Sequence, residues 1–409
     1  MVSFFMLPVE LLSLVVSNWL ELRDVVPLDT AICRAGARND FLAVLSNRCI
    51  FNSVHIEISQ DNTIKWLLLR KIKVKAVEVT NLRVYMTLAA DLAALGAWLR
   101  ISGSRIAAMK IKYCSSSIWA EIAPYCTHLT HLEVIKTDLN TSFWDAACAN
   151  IKLEELLINA CNYEGAPSDL MLPALRKLEF YSFSSSKWEE LIPKVPNVQS
   201  LSIKVDCTDR FLHLAKCPYL IKLSLYFCNL SEALFIALMS GLQTGLRCLV
   251  FPYSHDFTPR ALDAAAAYHG HTLRHLQVTE TNHAMKFGNA DGGWINQCVR
   301  LNTLYMCSFV DLPLHINNST IKALYMRSCE ICTLDSLSHT QFPALSELSV
   351  SIMEDPEGIH VIPASMKFSL HTLHLGALTS SVENDIKKRF PTLLLRSAYD
   401  VDLLSLDTL

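Results

Sequence analysis

The sequence contains few residue groupings whose types and spacing would do chemistry. Cys329-Glu-Ile-Cys332 has the spacing of two thiolate ligands on one turn, and a tetrahedral zinc site would need a second pair at suitable spacing. No such pair is evident. Fourteen histidines include the run "YHGHTLRH" from Tyr268 to His275. The run suggests metal binding or catalysis, but in the repeat frame set out below His269 and His271 fall in the turn before a strand and His275 on the concave face, so it reads as surface histidine. Phosphate-cradling GxxxxGK and nucleophile-elbow GxSxG motifs are absent, and Asp and Glu are scattered without paired acid–base spacing. The expectation is therefore no catalytic residue, no metal, no cofactor and no enzymatic activity. What remains is recognition chemistry. Tyr181, Tyr226, Tyr305, Tyr325 and Arg327 are the residue types that anchor protein interfaces, although tyrosines are also ordinary strand formers.

These residues share a place in a repeating pattern. "LIKLSLYFCNL", from Leu220 to Leu230, sets apolar residues at offsets 0, 3 and 5, which fits neither a helix period nor a long strand. It describes a strand of three or four residues entered from a turn. Such a unit cannot bury its own apolar face unless copies stack beside it. The copies begin at Phe51, Val74, Ile106, Leu129, Leu153, Leu175, Val198, Leu220, Leu246, Leu273, Leu301, Ile321, Leu345 and Leu370, at intervals of 20 to 32 residues. At offset 8 a small side chain recurs as Cys114, Cys161, Cys228 and Cys329, or as Thr137 and Thr281. Weak donors suit a place where the chain leaves a strand with carbonyls to satisfy. This pattern resembles the cysteine-containing class of leucine-rich repeats, over about Phe51 to Leu395. That class occurs in intracellular proteins and especially in F-box proteins.

Between the strands, "SSIWAEIAPYC", "SSKWEELIPKVPN", "DRFLHLAKCPYL", "SEALFIALMSGL" and "TPRALDAAAAYHG" open on helix-capping residues and have helical character. The expected fold is an α/β class, right-handed leucine-rich-repeat solenoid, a horseshoe of about 14 repeats. Strands would line its concave side and helices its convex side. If offsets 3 and 5 point inward, offsets 2, 4 and 6 point outward. They place Glu78, Lys110, Lys112, Glu133, Glu155, Lys177 and Glu179 on a mixed-charge face in the earlier repeats. The five anchors above form an aromatic stripe farther along, expected to hold a protein partner.

Composition narrows the alternatives. With 51% hydrophobic and only 18% charged residues the chain is well buried and not disordered. A net charge of −3 without a basic stripe argues against nucleic acid as the main partner. No apolar run spans a membrane, and the start lacks a basic leader. Fourteen cysteines, four of them in one repeat slot, read as reduced core residues. A cytoplasmic or nuclear location is expected, and the four glycosylation sequons at Asn140, Asn229, Asn317 and Asn318 are read as incidental.

Residues 1–48 lack the repeat and read as a small helical domain ahead of a solenoid at 49–409. Three short helices are expected, the first through Leu20, the second from Asp24 or Pro27 to about Ala35, the third in "RNDFLAVLS". The segment resembles an F-box: Leu7-Pro8 and Glu10 match its Leu-Pro-x-Glu opening, Asp24-Val25 its Asp-Val step, and Cys33-Arg34 its Cys-Arg. It departs where the family usually places a Trp, since Phe41 is the nearest aromatic. The resemblance implies docking through Leu7, Pro8, Leu11, Val15 and Leu20 on the Skp-type adaptor of a cullin complex. The chain would then be the substrate-recognition subunit of an SCF-type ubiquitin ligase. The alternative is a non-enzymatic scaffold in another intracellular assembly, its N-terminal helices only capping the exposed apolar end of the solenoid.

Overall fold

In a computed structural model the described residues are 8–19, 22–32, 35–47, 49–57, 62–80, 89–163, 167–181, 188–204, 209–226, 230–253, 259–280, 293–307, 317–327, 342–351, 370–375 and 380–397. They form two compact units, Met1–Val198 and Gln199–Leu409.

The first unit opens with three helices, α1 (Val9–Trp19), α2 (Leu22–Ala31) and α3 (Ala35–Asn47). Pro27 lies inside α2 and does not begin it, so one backbone donor is missing in that turn. Strands and helices then alternate: β1 (Ile50–Glu57), α4 (Asn62–Arg70), β2 (Lys73–Thr80), α5 (Ala89–Ser102), β3 (Ala108–Lys112), α6 (Ser116–Ile122) and β4 (His131–Ile135). There follow β5 (Asp138–Leu139), α7 (Thr141–Cys148), β6 (Glu155–Asn159), β7 (Asn162–Tyr163) and β8 (Lys177–Tyr181). Strands β1, β2, β3, β4, β6 and β8 pair side by side, all parallel. β5 and β7 form a separate short parallel pair.

The second unit contains β9 (Ser200–Lys204), β10 (Lys222–Leu225), α8 (Glu232–Gly241), β11 (Cys248–Tyr253), α9 (Pro259–His269), β12 (His275–Glu280) and α10 (Gly293–Gln297). β13 (Thr303–Cys307), β14 (Ala323–Arg327), β15 (Glu347–Ser351), β16 (Thr372–Leu375), α11 (Ser380–Arg389) and β17 (Leu394–Ser397) complete it. Its strands are likewise parallel and adjacent in chain order. A parallel strand lies at every one of the fourteen sequence triplets. β17 is an additional one, beyond the last triplet. The architecture is an α/β leucine-rich-repeat solenoid.

Most of the described repeats solve the same hydrogen-bonding problem in the same way. The two residues entering a strand donate together to one carbonyl of the previous repeat: Thr130 and His131 to Ala107, then Glu154 and Glu155 to Thr130. Offsets 0, 3 and 5 are buried, as in Leu129, Leu132 and Val134. Two expected α-helical connections are 3-10 helices, at Trp188–Lys194 and Asp209–Lys216.

The offset-8 slot has a defined geometry. Cys114 Sγ donates to the Lys112 carbonyl at 3.3 Å, Cys161 Sγ to that of Asn159 at 3.3 Å, and Thr137 Oγ1 to that of Ile135 at 3.2 Å. All three side chains are buried, and burial pushes the Cys161 thiol up. Cys228, Cys329 and Thr281 lie outside the described residues. The residue just before the slot turns left-handed: Tyr113 has φ 56°, Lys136 49° and Ala160 51°. This conformation aims the Ala160 N–H at the Tyr181 carbonyl, extending the ladder past the strand ends. Left-handed backbone costs a non-glycine residue roughly 1 kcal/mol. Ala160→Gly is therefore expected to raise stability by up to about 1 kcal/mol, and Ala160→Val, with its branched Cβ, to lower it by a similar amount. Urea denaturation of the two variants checks the opposite signs.

Two sequons have structural duties. Asn140 caps α7 by accepting from the Phe143 N–H. Asn318 is buried and its amide donates to the Ile295 and Cys298 carbonyls. Among the described residues no helix is long and apolar enough to cross a membrane.

Candidate functional site: the sheet face of the first unit

On the face opposite the apolar rows, strand register sets three lines of side chains across the first unit. One runs Ser53, Ala76, Ala108, His131, Glu155, Lys177, and the next His55, Glu78, Lys110, Glu133, Leu157, Glu179. The third includes Lys112 and Tyr181. The first two lines border a groove of about 410 Å³.

The long side chains are cross-linked by charge. Lys112 reaches Glu78 at 2.5 Å, Lys110 reaches Glu133 at 2.6 Å, and Lys177 reaches Glu179 at 2.8 Å. His131 pairs with Glu155 at 3.1 Å and His55 with Glu78 at 3.6 Å. Burial pushes the Glu78 carboxyl up, but the hydrogen bond and charge of Lys112, with His55 and Lys110, hold it below the usual range. Glu179 is buried because both its oxygens are used, one by Lys177 and one by the Tyr181 hydroxyl at 3.1 Å. The mixed-charge face expected from the repeat frame is therefore present. His55 and His131 belong to it and escaped the sequence reading, although their even offsets in the repeat placed them there.

The tyrosine stripe differs from expectation. Tyr181 is half-buried in the first unit, whereas Tyr226 follows β10 and Tyr305, Tyr325 and Arg327 lie on β13 and β14 of the second. Tyr305 and Tyr325 do point away from the core rows of their strands, in register with one another. They are nevertheless only 4% and 8% exposed, with ring centroids 6.3 Å apart. Burial, helped by the Glu347 carboxylate that Tyr325 hydrogen-bonds, pushes the Tyr325 phenol upward. Glu347 also meets His374 at 3.1 Å. Equivalent positions Ser202, Ser224, Gln277 and Ser349 are buried too. In the second unit this row is packed, so Tyr305 and Tyr325 are not open anchors, and truncating them would leave a cavity. The Arg327 side chain lies outside the described residues.

The histidine run also differs. His269 ends α9 and is 1% exposed. Its Nε2–H donates to the Met239 carbonyl at 3.1 Å, and its Nδ1 accepts from the Leu246 N–H at 3.4 Å. It is a core histidine because the preceding repeat supplies one acceptor, from α8, and one donor, at Leu246. His275 is buried as well, and His271 is exposed. Cys329 and Cys332 lie outside the described residues. Among the described residues no three His, Cys, Asp or Glu side chains converge as metal ligands.

At the other end of the first unit, α1 has two apolar sides. Leu12 and Val16 are buried, while Leu11 is 49% and Leu14 54% exposed. Pro8 is exposed and Val15 half-buried, and Leu7 and Leu20 lie outside the described residues. The helices are fastened to the first repeat by Asp29, which is 1% exposed. It accepts from Arg38 at 3.3 Å, Arg70 at 2.9 Å and the Trp66 indole at 3.2 Å. Sequence offered no sign of this junction, because its four members come from three different helices.

No family model matches this chain, and no curated protein matches its sequence. Its fold is similar to that in the crystal structure of the Rad7–Elc1 complex of yeast, at 15% identity and a TM-score of 0.47, covering 98% of this chain and 94% of that one. A leucine-rich-repeat protein of Leptospira interrogans matches at 11% identity and 0.37, over 84% of this chain and 100% of that one. An internalin of Listeria monocytogenes matches at 10% and 0.43, over 86% and 93%.

Proposed function

We propose that the chain is the substrate-recognition subunit of an SCF-type ubiquitin ligase, with residues 1–48 as its F-box. In this reading α1 docks a Skp-type adaptor linked to a cullin, and the sheet face of the repeats holds the target protein. The chain then acts by positioning, and other subunits supply the chemistry. The observation that carries the reading is the side of α1 formed by Leu11 and Leu14. They are one helical turn apart, so they form one exposed apolar patch beside Pro8. A helix that served only as a cap would have no use for a second apolar side. The Asp29 junction gives the scaffold reading its own support, since it makes these helices part of the first unit. Capping and docking use opposite sides of α1 and are compatible.

The test is recovery of partners from the native host by the full chain and by Leu11→Asp/Leu14→Asp. The intact chain is expected to bring down a Skp-type adaptor and a cullin. The double variant should fold with an unchanged melting curve and recover at least about tenfold less, as loss of an interface centre implies. Recovery of neither protein by the intact chain would remove the ligase reading and leave the scaffold.

A further inference from the structure

The line Ser53, Ala76, Ala108 has the smallest side chains on the sheet face of the first unit and forms part of the groove lining. Beside it stand His55, Glu78 and Lys110, whose longer side chains wall one side of a trough three strands wide. The same line continues into His131, Glu155 and Lys177. Of the four glutamates here, Glu78, Glu133 and Glu179 are each held by a lysine. Glu155 is held by His131, and the two are 42% and 49% exposed. Glu155 is the most exposed of the four and, among the described residues, the one in no lysine salt bridge, so it is the groove carboxylate open to a cation from outside.

We infer that this groove binds an extended protein segment carrying a bulky apolar side chain and a lysine or arginine. The apolar side chain fills the Ser53–Ala76–Ala108 trough, and the cation pairs with Glu155. This deepens the proposed target-binding role of the sheet face and rests on it. Ala108 and Glu155 are two strand spacings apart, roughly 10 Å; an extended chain turns every second side chain to one face, so residues i and i+2, about 7 Å apart, both enter the groove and the long Lys or Arg side chain spans the remainder. The recognised pattern is therefore a bulky apolar residue with Lys or Arg two positions away. An acidic side chain in place of that cation would be repelled by Glu155 and is disfavoured.

The probe is a displayed library of random dodecapeptides selected against the full chain. Enrichment of the apolar–x–Lys/Arg pattern is expected. A selected peptide should bind Glu155→Gln about tenfold more weakly, the loss expected for one charge-assisted pair. Ala76→Leu, which fills the trough, should weaken it similarly while Glu155 remains. Both variants should keep the parent melting curve, and a conservative exposed change such as Glu155→Gln keeps the test valid if Ala76→Leu does not. Selection of acidic peptides overturns the inference, as does failure to enrich any pattern. So does binding that neither variant weakens. Adaptor recovery is measured separately: its loss with peptide binding intact counts against the ligase reading, and the converse counts against the groove alone.

Discussion

Asp29→Ala is expected to lower the unfolding free energy of the first unit by about 3 kcal/mol, the typical cost of removing one partner from a buried ion pair. The carboxylate is 1% exposed and its two oxygens serve three donors from α3 and α4. Arg38 and Arg70 are 39% and 20% exposed, so water takes over part of their solvation and keeps the loss from growing larger. Asp29→Asn keeps the shape and one acceptor but loses the charge, and should cost less than the alanine change. Guanidinium denaturation of both variants measures the effect. Coupling between Asp29→Ala and Arg70→Ala in a double-mutant cycle should exceed about 1 kcal/mol. A loss below about 0.5 kcal/mol for Asp29→Ala would mean that the helices are not fastened to the repeats through this residue.

Acid should weaken the second unit through His269. Burial, opposed by the Met239 hydrogen bond and helped by the charge of His271, depresses its pKa to about 4 from an ordinary 6.5. The unfolded chain therefore takes up this proton more readily than the folded one between those values. Stability from this group is complete above about pH 6.5, declines as pH falls towards 4, and changes no further below that. The difference of two to three units corresponds to a total loss of about 3 kcal/mol. His269→Gln removes the titration, so the difference between parent and variant in unfolding free energy should shrink by that amount from pH 7 to 4. The imidazole signals of His269 should stay those of a neutral ring down to about pH 5. A midpoint near 6.5 would show that the ring is solvated in the folded state.

Much of the fold was legible because a repeat signals the same thing many times. Leu223 and Leu225 alone describe an ambiguous apolar pair, but fourteen such triplets in series admit little besides stacked parallel strands. The alternation rule then placed Glu78, Lys110 and Glu133 on the outer face without any coordinates, since side-chain direction in a strand follows from parity. The same rule failed for Tyr305 and Tyr325 in one respect. Parity sets which face a side chain takes, but not whether that face is open. Their burial depends on what lies against the row, which is a matter of packing between distant segments. The 3-10 connections were illegible for a related reason, because capping residues mark where a helix begins but not how tightly it winds.

Length, composition and local periodicity by themselves determined the repeat, its strands, the buried slot at Cys114 and Cys161, and the three helices before Phe51. Each depends on residues close in the chain or on a pattern that recurs along it. Only the tertiary structure decided that Asp29 lies under Arg38, Trp66 and Arg70, that His269 is a core residue, and that α1 turns Leu12 and Val16 inward and Leu11 and Leu14 outward. That Lys177, opposite Glu155 in register, pairs with Glu179 was likewise decided only in three dimensions. Burial and pairing of charges are properties of neighbours brought together from far apart in sequence, and the free energy of a charge depends on those neighbours more than on its own residue type.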